Sequence, residues 1–451
     1  MHPLLVLLIA IAVVFLLIIR LKINAFVALI AAAITVGVLS PNVALPDVMP
    51  KVAGIFGVVA GKIGIVIALA ALIGQCLMES GAADKIVRVF VRGLGESRAS
   101  LSLLASGYLL SVPVFFDTVF YLLVPLARAM RVRTGKNYLL FVMAICAGGA
   151  VTHSMVPPTP GPLAMAATLN IDLGMMILAG AIVGLPMSIA GWLFARNRDL
   201  AMDVPLRATG AMSLEELKDL ALRDEAKLPG FWHAMMPILL PVLMITANTA
   251  ASAIDKTSSF ARATAFLGDP NFALLVSAAV AVHLLAKQKG LALIELAKPM
   301  EDAFASGGLI ILITAAGGAF GGMLVEAGVG RTLGEMAQQF SIPLLLLGFL
   351  LGALLKVAQG SGTVAMITVS SILAPLAVSS PPPFHTVYIA CAIGSGSLVG
   401  SWMNDSGFWV YKQMSGLTEQ EALRTWTPLL AVLGVTGYLA TQVAAIVLPL
   451  R

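Results

Sequence analysis

Apolar runs of about 15–25 residues recur from one end of this chain to the other. No other feature restricts its fold as much. A bilayer has a hydrocarbon core of ~30 Å, which a helix crosses in about 20 residues. Within that core every backbone N–H and C=O must find a partner inside the protein, so only helices and closed barrels span it. A barrel would show alternating segments of about ten residues, and the sequence has none. Only 11% of the residues are charged, against ~25% in an average soluble domain. The fold class expected is an all-α polytopic membrane protein. No basic residue precedes the first run, and Arg20 and Lys22 follow it, so it reads as a span and not as a signal peptide. Cys76, Cys146 and Cys391 lie in apolar segments without paired spacing. Neither a disulfide framework nor a metal site is expected, and no cofactor is implied. The basic residues flank spans and do not form a nucleic-acid surface.

Ten spans are expected near 3–20, 24–40, 52–79, 138–168, 172–196, 232–254, 271–286, 305–325, 386–411 and 428–449. Two of these, 138–168 and 386–411, are broken. Two hairpins are expected near 99–131 and 342–378. Each arm of about 15 residues reaches roughly 22 Å, short of the hydrocarbon core. Either the hairpins are re-entrant, with tips near 115–120 and 359–365, or each is a pair of short spans. Loop charges fix the expected orientation. With the N-terminus outside, 21 of the 28 Lys and Arg residues fall inside and 5 outside, leaving Lys62 and Lys356 within the membrane. The positive-inside rule then places both termini in the periplasm.

The sequence also repeats. "GQCLMESGAADKI" (74–86) aligns with "GGMLVEAGVGRTL" (321–333), and "NAFVALIAAA" (24–33) with "NFALLVSAAV" (271–280), both offset by 247 residues. Residues 1–196 and 232–451 read as two copies of one unit, each with about five spans, one re-entrant hairpin and one broken helix. An odd span count inverts the second copy, the plan of many secondary transporters. Residues 197–231 read as a cytoplasmic linker carrying a short amphipathic helix (213–226) with a Ser213/Glu216 capping box. Residues 82–94 carry basic residues on one face and apolar ones on another, which suits a helix on the cytoplasmic interface.

Helix-hostile points fall at matched places in the two copies, two at hairpin tips and two at breaks. Such paired interruptions mark transporter binding sites, because freed backbone groups need partners and half-helix N-termini favour anions. The first tip, "PVFFDTVF", places Asp117 and Thr118 there. Asp117 is either a proton carrier deep in the membrane or a helix cap at the surface. The second tip, "QGSGTVA", offers Ser361, Gly362 and Thr363, either as binding groups or as a plain turn. Lys356, in the arm before it, pairs with a substrate carboxylate, pairs with Asp117 or Asp405, or snorkels. Lys62 is expected to snorkel. The first break, "VTHSMVPPTPGP" (151–162), holds His153, Thr159 and Gly161. His153 is either structural or part of proton coupling. The second break, "MNDSGFW", holds Asn404, Asp405 and Ser406, which suit both capping and substrate contact. "GDPNF" (268–272) reads as an outside turn with Asp269 as N-cap and Pro270 opening a helix.

Taken together, "VTHSMVPPTPGPLA", "FLGDP", "PVFFDTVF", "GSGTVA" and "GSGSLVGSWMNDSGFWVYKQ" resemble the gluconate permease family of bacterial gluconate:proton symporters, in order and over almost the whole chain. The resemblance implies an inner-membrane symporter, not an enzyme, for gluconate or a related hydroxylated carboxylate with protons. Other sugar acids and D-serine are further family substrates. The tips and breaks also resemble a wider ion-transporter superfamily that includes sodium–dicarboxylate symporters. That likeness implies a site on an elevator-like domain, a homodimer, and site roles for the tip and break residues above. Asp117, His153 and Asp405 are then the proton-coupling candidates. Thr118, Thr159, Gly161, Lys356, Ser361, Gly362, Thr363, Asn404 and Ser406 are the substrate-binding ones. Many family members carry arginine where Lys356 stands, which provides a fork that a lysine lacks. The rival readings are sodium coupling and, from a different class, an intramembrane hydrolase using Ser361, His153 and Asp405.

Overall fold

The computed structural model describes residues 1–95, 98–113, 115–207, 228–254, 259–329, 332, 343–403 and 405–450. Among them the regular structure is helical, without strands. The first half holds α1 (Pro3–Phe15), α2 (Ala25–Leu39), α3 (Val48–Glu79), α4 (Ala82–Leu94), α5 (Ala99–Leu110), α6 (Phe116–Thr134), α7 (Tyr138–Met155), α8 (Pro160–Thr168) and α9 (Leu173–Ala201). The second holds α10 (Phe231–Ile254), α11 (Ser259–Leu267), α12 (Pro270–Lys289), α13 (Ala297–Glu326), α14 (Leu344–Gln359), α15 (Gly362–Ser379), α16 (Val387–Gly396), α17 (Ser406–Ser415) and α18 (Glu419–Val447). The expected linker helix at 213–226, with Ser213 and Glu216, lies outside the described residues.

Among the described residues, 8 segments are long and apolar enough to cross a membrane. They include α3, the α7–α8 pair, α9, α10, α12, α13 and α18. The eighth is α15, expected as a hairpin arm but 18 residues long. Three expected spans are short: α1 has 13 residues, continued by a π-helical turn at Leu16–Arg20, α2 has 15, and 386–411 is divided between α16 and α17 of 10 residues each. The last span starts at Glu419, earlier than its apolar run. Thr418 and Glu421 form a reciprocal capping box there, and Pro428 is accommodated inside the helix. Asp269 caps α12 as expected, accepting from the amides of Asn271 and Phe272 at 3.0 and 3.1 Å.

The helices gather in two groups. α1, α2, α3, α10, α12 and α13 pack among themselves, and α5–α9 pack with α14–α18. α13 lies against α15, α3 against α8 and α10 against α9, so the groups meet along one seam. α4 bridges α5 and α10. Lys51 at the start of α3 pairs with Glu326 at the end of α13, while Glu79 at the end of α3 pairs with Lys289 at 2.9 Å. α3 and α13 therefore lie antiparallel. Each ion pair joins loops that the charge count puts on the same side.

α7 and α16 form the interior of the second group. Every residue of α16 is buried, and every residue of α7 except His153. A helix apolar all round belongs inside a protein, and backbone may break at membrane depth only where protein or a cavity surrounds it. The sequence breaks these same two helices.

Candidate functional site

The first break is local chemistry. Val156 is extended, the Pro157–Pro158 peptide is cis, and Pro160 is the first residue of α8. There its missing N–H leaves nothing unsatisfied. Proline alone does not end these helices, since Pro125, Pro186, Pro375 and Pro428 all lie inside helices. At the second tip Gly360 takes φ +88° to close α14, a conformation that suits glycine. Ser361 caps α15, accepting from the Val364 amide at 3.3 Å.

These interruptions bring the N-terminal ends of α6, α8, α15 and α17 to one cavity of about 460 Å³. Phe115, Phe116 and Asp117 line it from α6, Pro160 from α8, and Gly360, Ser361, Gly362 and Thr363 from the second tip. His153 and Ser154 enter from α7, Ser397, Asp405 and Gly407 from the second break, Thr314 from α13, and Trp426 from α18.

The polar groups in this wall are connected. Lys356 Nζ donates to Asp405 Oδ2 at 2.7 Å and to the Gly360 carbonyl at 2.5 Å. The Ser401 hydroxyl donates to the same Asp405 oxygen, and Trp426 Nε1 donates to Ser401 Oγ at 2.7 Å. Asp405 Oδ1 accepts from the Gly407 amide at 3.0 Å and caps α17. Of the partners open to Lys356 in the sequence, Asp405 is the one it meets. One lysine thus ties the second tip to the second break.

Other groups in the wall are unspent. Asp117 is the second residue of α6; Phe115 is the N-cap, and no side chain caps that helix. Its carboxylate therefore faces the cavity without a capping role. His153 Nδ1 is buried without a hydrogen-bond partner, its ring edge-on to Phe115 with centroids 6.3 Å apart. Thr314 Oγ1 is likewise buried and unpartnered. Buried polar atoms normally have partners, so both suit a polar solute or water.

Asp117, His153, Lys356, Ser361, Gly362, Thr363 and Asp405 converge on the cavity. Thr159 and Gly161 stand one layer behind it. The Thr159 hydroxyl donates to the Val156 carbonyl at 2.5 Å, and Gly161 packs on the Met366 side chain. Thr118 lies in the first turn of α6 and Ser406 opens α17, with both side chains outside the described set. Asn404 lies outside the described residues. Lys62 is exposed on α3. Thr314 and Trp426 escape sequence reading. The signal for Thr314 is a lone hydroxyl in "IILITAAGGAF"; Trp426 offers none. The Ser361–His153–Asp405 relay of a hydrolase is not assembled, because Asp405 is held by Lys356, Ser401 and Gly407 while His153 Nδ1 has no partner.

Residues 2–447 match the family profile described as GntP family permease. A gluconate permease of Pseudomonas aeruginosa is 33% identical over 96% of this chain and 95% of its own. The inner membrane permease YgbN of Escherichia coli is 33% identical over 94% of each chain. The Gnt-II system L-idonate transporter of the same species is 30% identical over 97% of this chain and 98% of its own. Among solved structures, the YdaH transporter of Alcanivorax borkumensis superposes with a TM-score of 0.65 over 94% of this chain and 98% of its own, at 15% identity. That likeness concerns the fold alone.

Proposed function

Because this chain belongs to the GntP family of permeases, we propose that it is a multi-pass inner-membrane symporter that takes up gluconate or a related hydroxylated carboxylate with protons. The observation that carries this reading is the convergence of four half-helix N-termini and Lys356 on one cavity. Helix N-termini present free amides and the positive end of the dipole to an anion. Ser361, Thr363, Thr314 and His153 supply donors and acceptors for the hydroxyls of a sugar acid. The names of the relatives, gluconate permease and L-idonate transporter, support the same substrate class.

Coupling follows from the charge count in the cavity. The Lys356 cation is already matched by Asp405. Asp117 adds a second carboxyl to the wall, and an incoming carboxylate would add a third. Like charges in a poorly solvated site repel strongly. A proton on Asp117 removes one of them, so solute and proton load together; His153 is the second candidate for proton transfer. The antiparallel α3 and α13, and the matched helix order of the two halves, support two inverted repeats, 1–196 and 232–451, and alternating access between them.

Reconstituted protein in sodium-free vesicles should accumulate gluconate when a proton gradient is imposed. Asp117→Asn should abolish that accumulation while keeping gluconate counterflow. Accumulation by Asp117→Asn equal to the original protein would remove Asp117 from the mechanism. A strict need for sodium would replace the proton with sodium.

A further inference from the structure

A second concavity, of about 800 Å³, shares no lining residue with the first and lies at the open end of the first hairpin. Arg98 stands just before α5, Lys136 just after α6, and Arg196 near the end of α9, and all three line it. None has a carboxylate within ion-pair distance among the described residues. The one acid in the wall, Asp199, accepts the Leu140 amide at 3.0 Å. Three cations in one recess repel each other unless an anion sits between them. Arginine forks suit phosphate oxygens in particular.

The surroundings point to a lipid as the source of that phosphate. The recess lies at the end of a 29-residue apolar helix, on the face where basic loops gather. Trp192 forms part of its wall, with an apolar ring and Nε1 donating to Ser100 Oγ at 3.1 Å, an arrangement typical of the headgroup level. Leu185, Ile189 and Leu193 are exposed in a row on α9 leading away from it, so an acyl chain has a path beside the headgroup.

We propose that Arg98, Lys136 and Arg196 bind the phosphate of an acidic phospholipid, bridging both bases of the first hairpin to α9. This rests on the fold and the recess and is independent of the transport reading. The test is native mass spectrometry of the full-length protein with phosphatidylglycerol, phosphatidylcholine or inorganic phosphate. Phosphatidylglycerol should be retained in preference to phosphatidylcholine. Arg98→Gln, Lys136→Gln and Arg196→Gln should each weaken that retention, by about fivefold per cation removed. Arg196→Lys, which keeps the charge and loses the fork, should weaken it less than Arg196→Gln. Arg196→Gln, at an exposed position on α9, keeps the test valid if either of the other variants fails to fold. Equal retention of phosphatidylglycerol by the original protein and the Gln variants would overturn the proposal. Binding of inorganic phosphate that displaces the lipid would overturn the lipid assignment in favour of a soluble phosphate.

Discussion

Lys356 and Asp405 are a cation and an anion taken out of water together, 2.7 Å apart with 6% and 12% of their side chains exposed. Each offsets the other, and Gly360, Ser401 and Gly407 add hydrogen bonds to the pair. Removing one partner of a buried pair costs about 3–5 kcal/mol, since a bare charge is left behind. Lys356→Met should therefore lower the thermal midpoint sharply and stop uptake, and Asp405→Asn should do the same. The double variant should be less destabilised than the sum of the two, as coupled neighbours are. Additive losses in a double-mutant cycle by thermal unfolding would show that the pair is not energetically linked. Both residues were visible in the sequence, as was Asp117, because a charge in an apolar run is costly and stands out. Thr314 and Trp426 were not, since an uncharged residue in such a run looks like ordinary wall until the neighbouring helices are placed. Thr159 shows the opposite limit. Its position at the break was legible, but the sequence does not reveal that its hydroxyl turns back to the Val156 carbonyl.

At the scale of the element, the interruptions are where helix starts open onto the cavity. Helices α8, α15 and α17 each start at an interruption with residues that tolerate a helix start: Pro160 at the first position, Ser361 as cap, Asp405 as cap. These starts were legible because caps and prolines act within one turn. Helix lengths were less so, because Pro428 is absorbed within α18 and α1 ends in a π-helical turn, outcomes decided by neighbours. Gly362, the first residue of α15, tests whether the helix start itself holds the solute. A Cβ there would stand 3.2 Å from the Ser397 carbonyl oxygen and 4.0 Å from Lys356 Nζ. Gly362→Ala would nudge the start of α15 away from the second break by a few tenths of an ångström. Small misplacements at a positioned site can cost large factors in rate. Uptake assays should show KM for gluconate raised about tenfold, with the thermal midpoint nearly unchanged. An unaltered KM would mean that the amides at this tip do not touch the solute.

For the whole molecule, the two helix groups divide the cavity unequally. The tips, the breaks, His153 and Trp426 belong to the second group, whereas Thr314 comes from α13 of the first. If solute crosses with the second group while the first stays in the bilayer, the seam between α13 and α15 must slide. Gly317 of α13 and Ile367 of α15 meet on that seam, and a Cβ on Gly317 would lie 3.4 Å from that of Ile367. Disulfides prefer Cβ separations of about 3.5–4.5 Å, so Gly317→Cys with Ile367→Cys is close to bridging geometry once the isoleucine methyl groups are gone. The chain's own Cys76, Cys146 and Cys391 would first be changed to alanine. Oxidising the pair should stop gluconate uptake, and reductant should restore it. The control lies wholly within the first group, where a Cβ on Gly307 would stand 3.3 Å from that of Ala71. Gly307→Cys with Ala71→Cys should bridge equally well and leave uptake intact, because α3 and α13 then move as one piece. Uptake that survives the α13–α15 bridge would show that these two helices do not slide. The solute would then have to reach the other side by opening within the second group, at its hairpin tips.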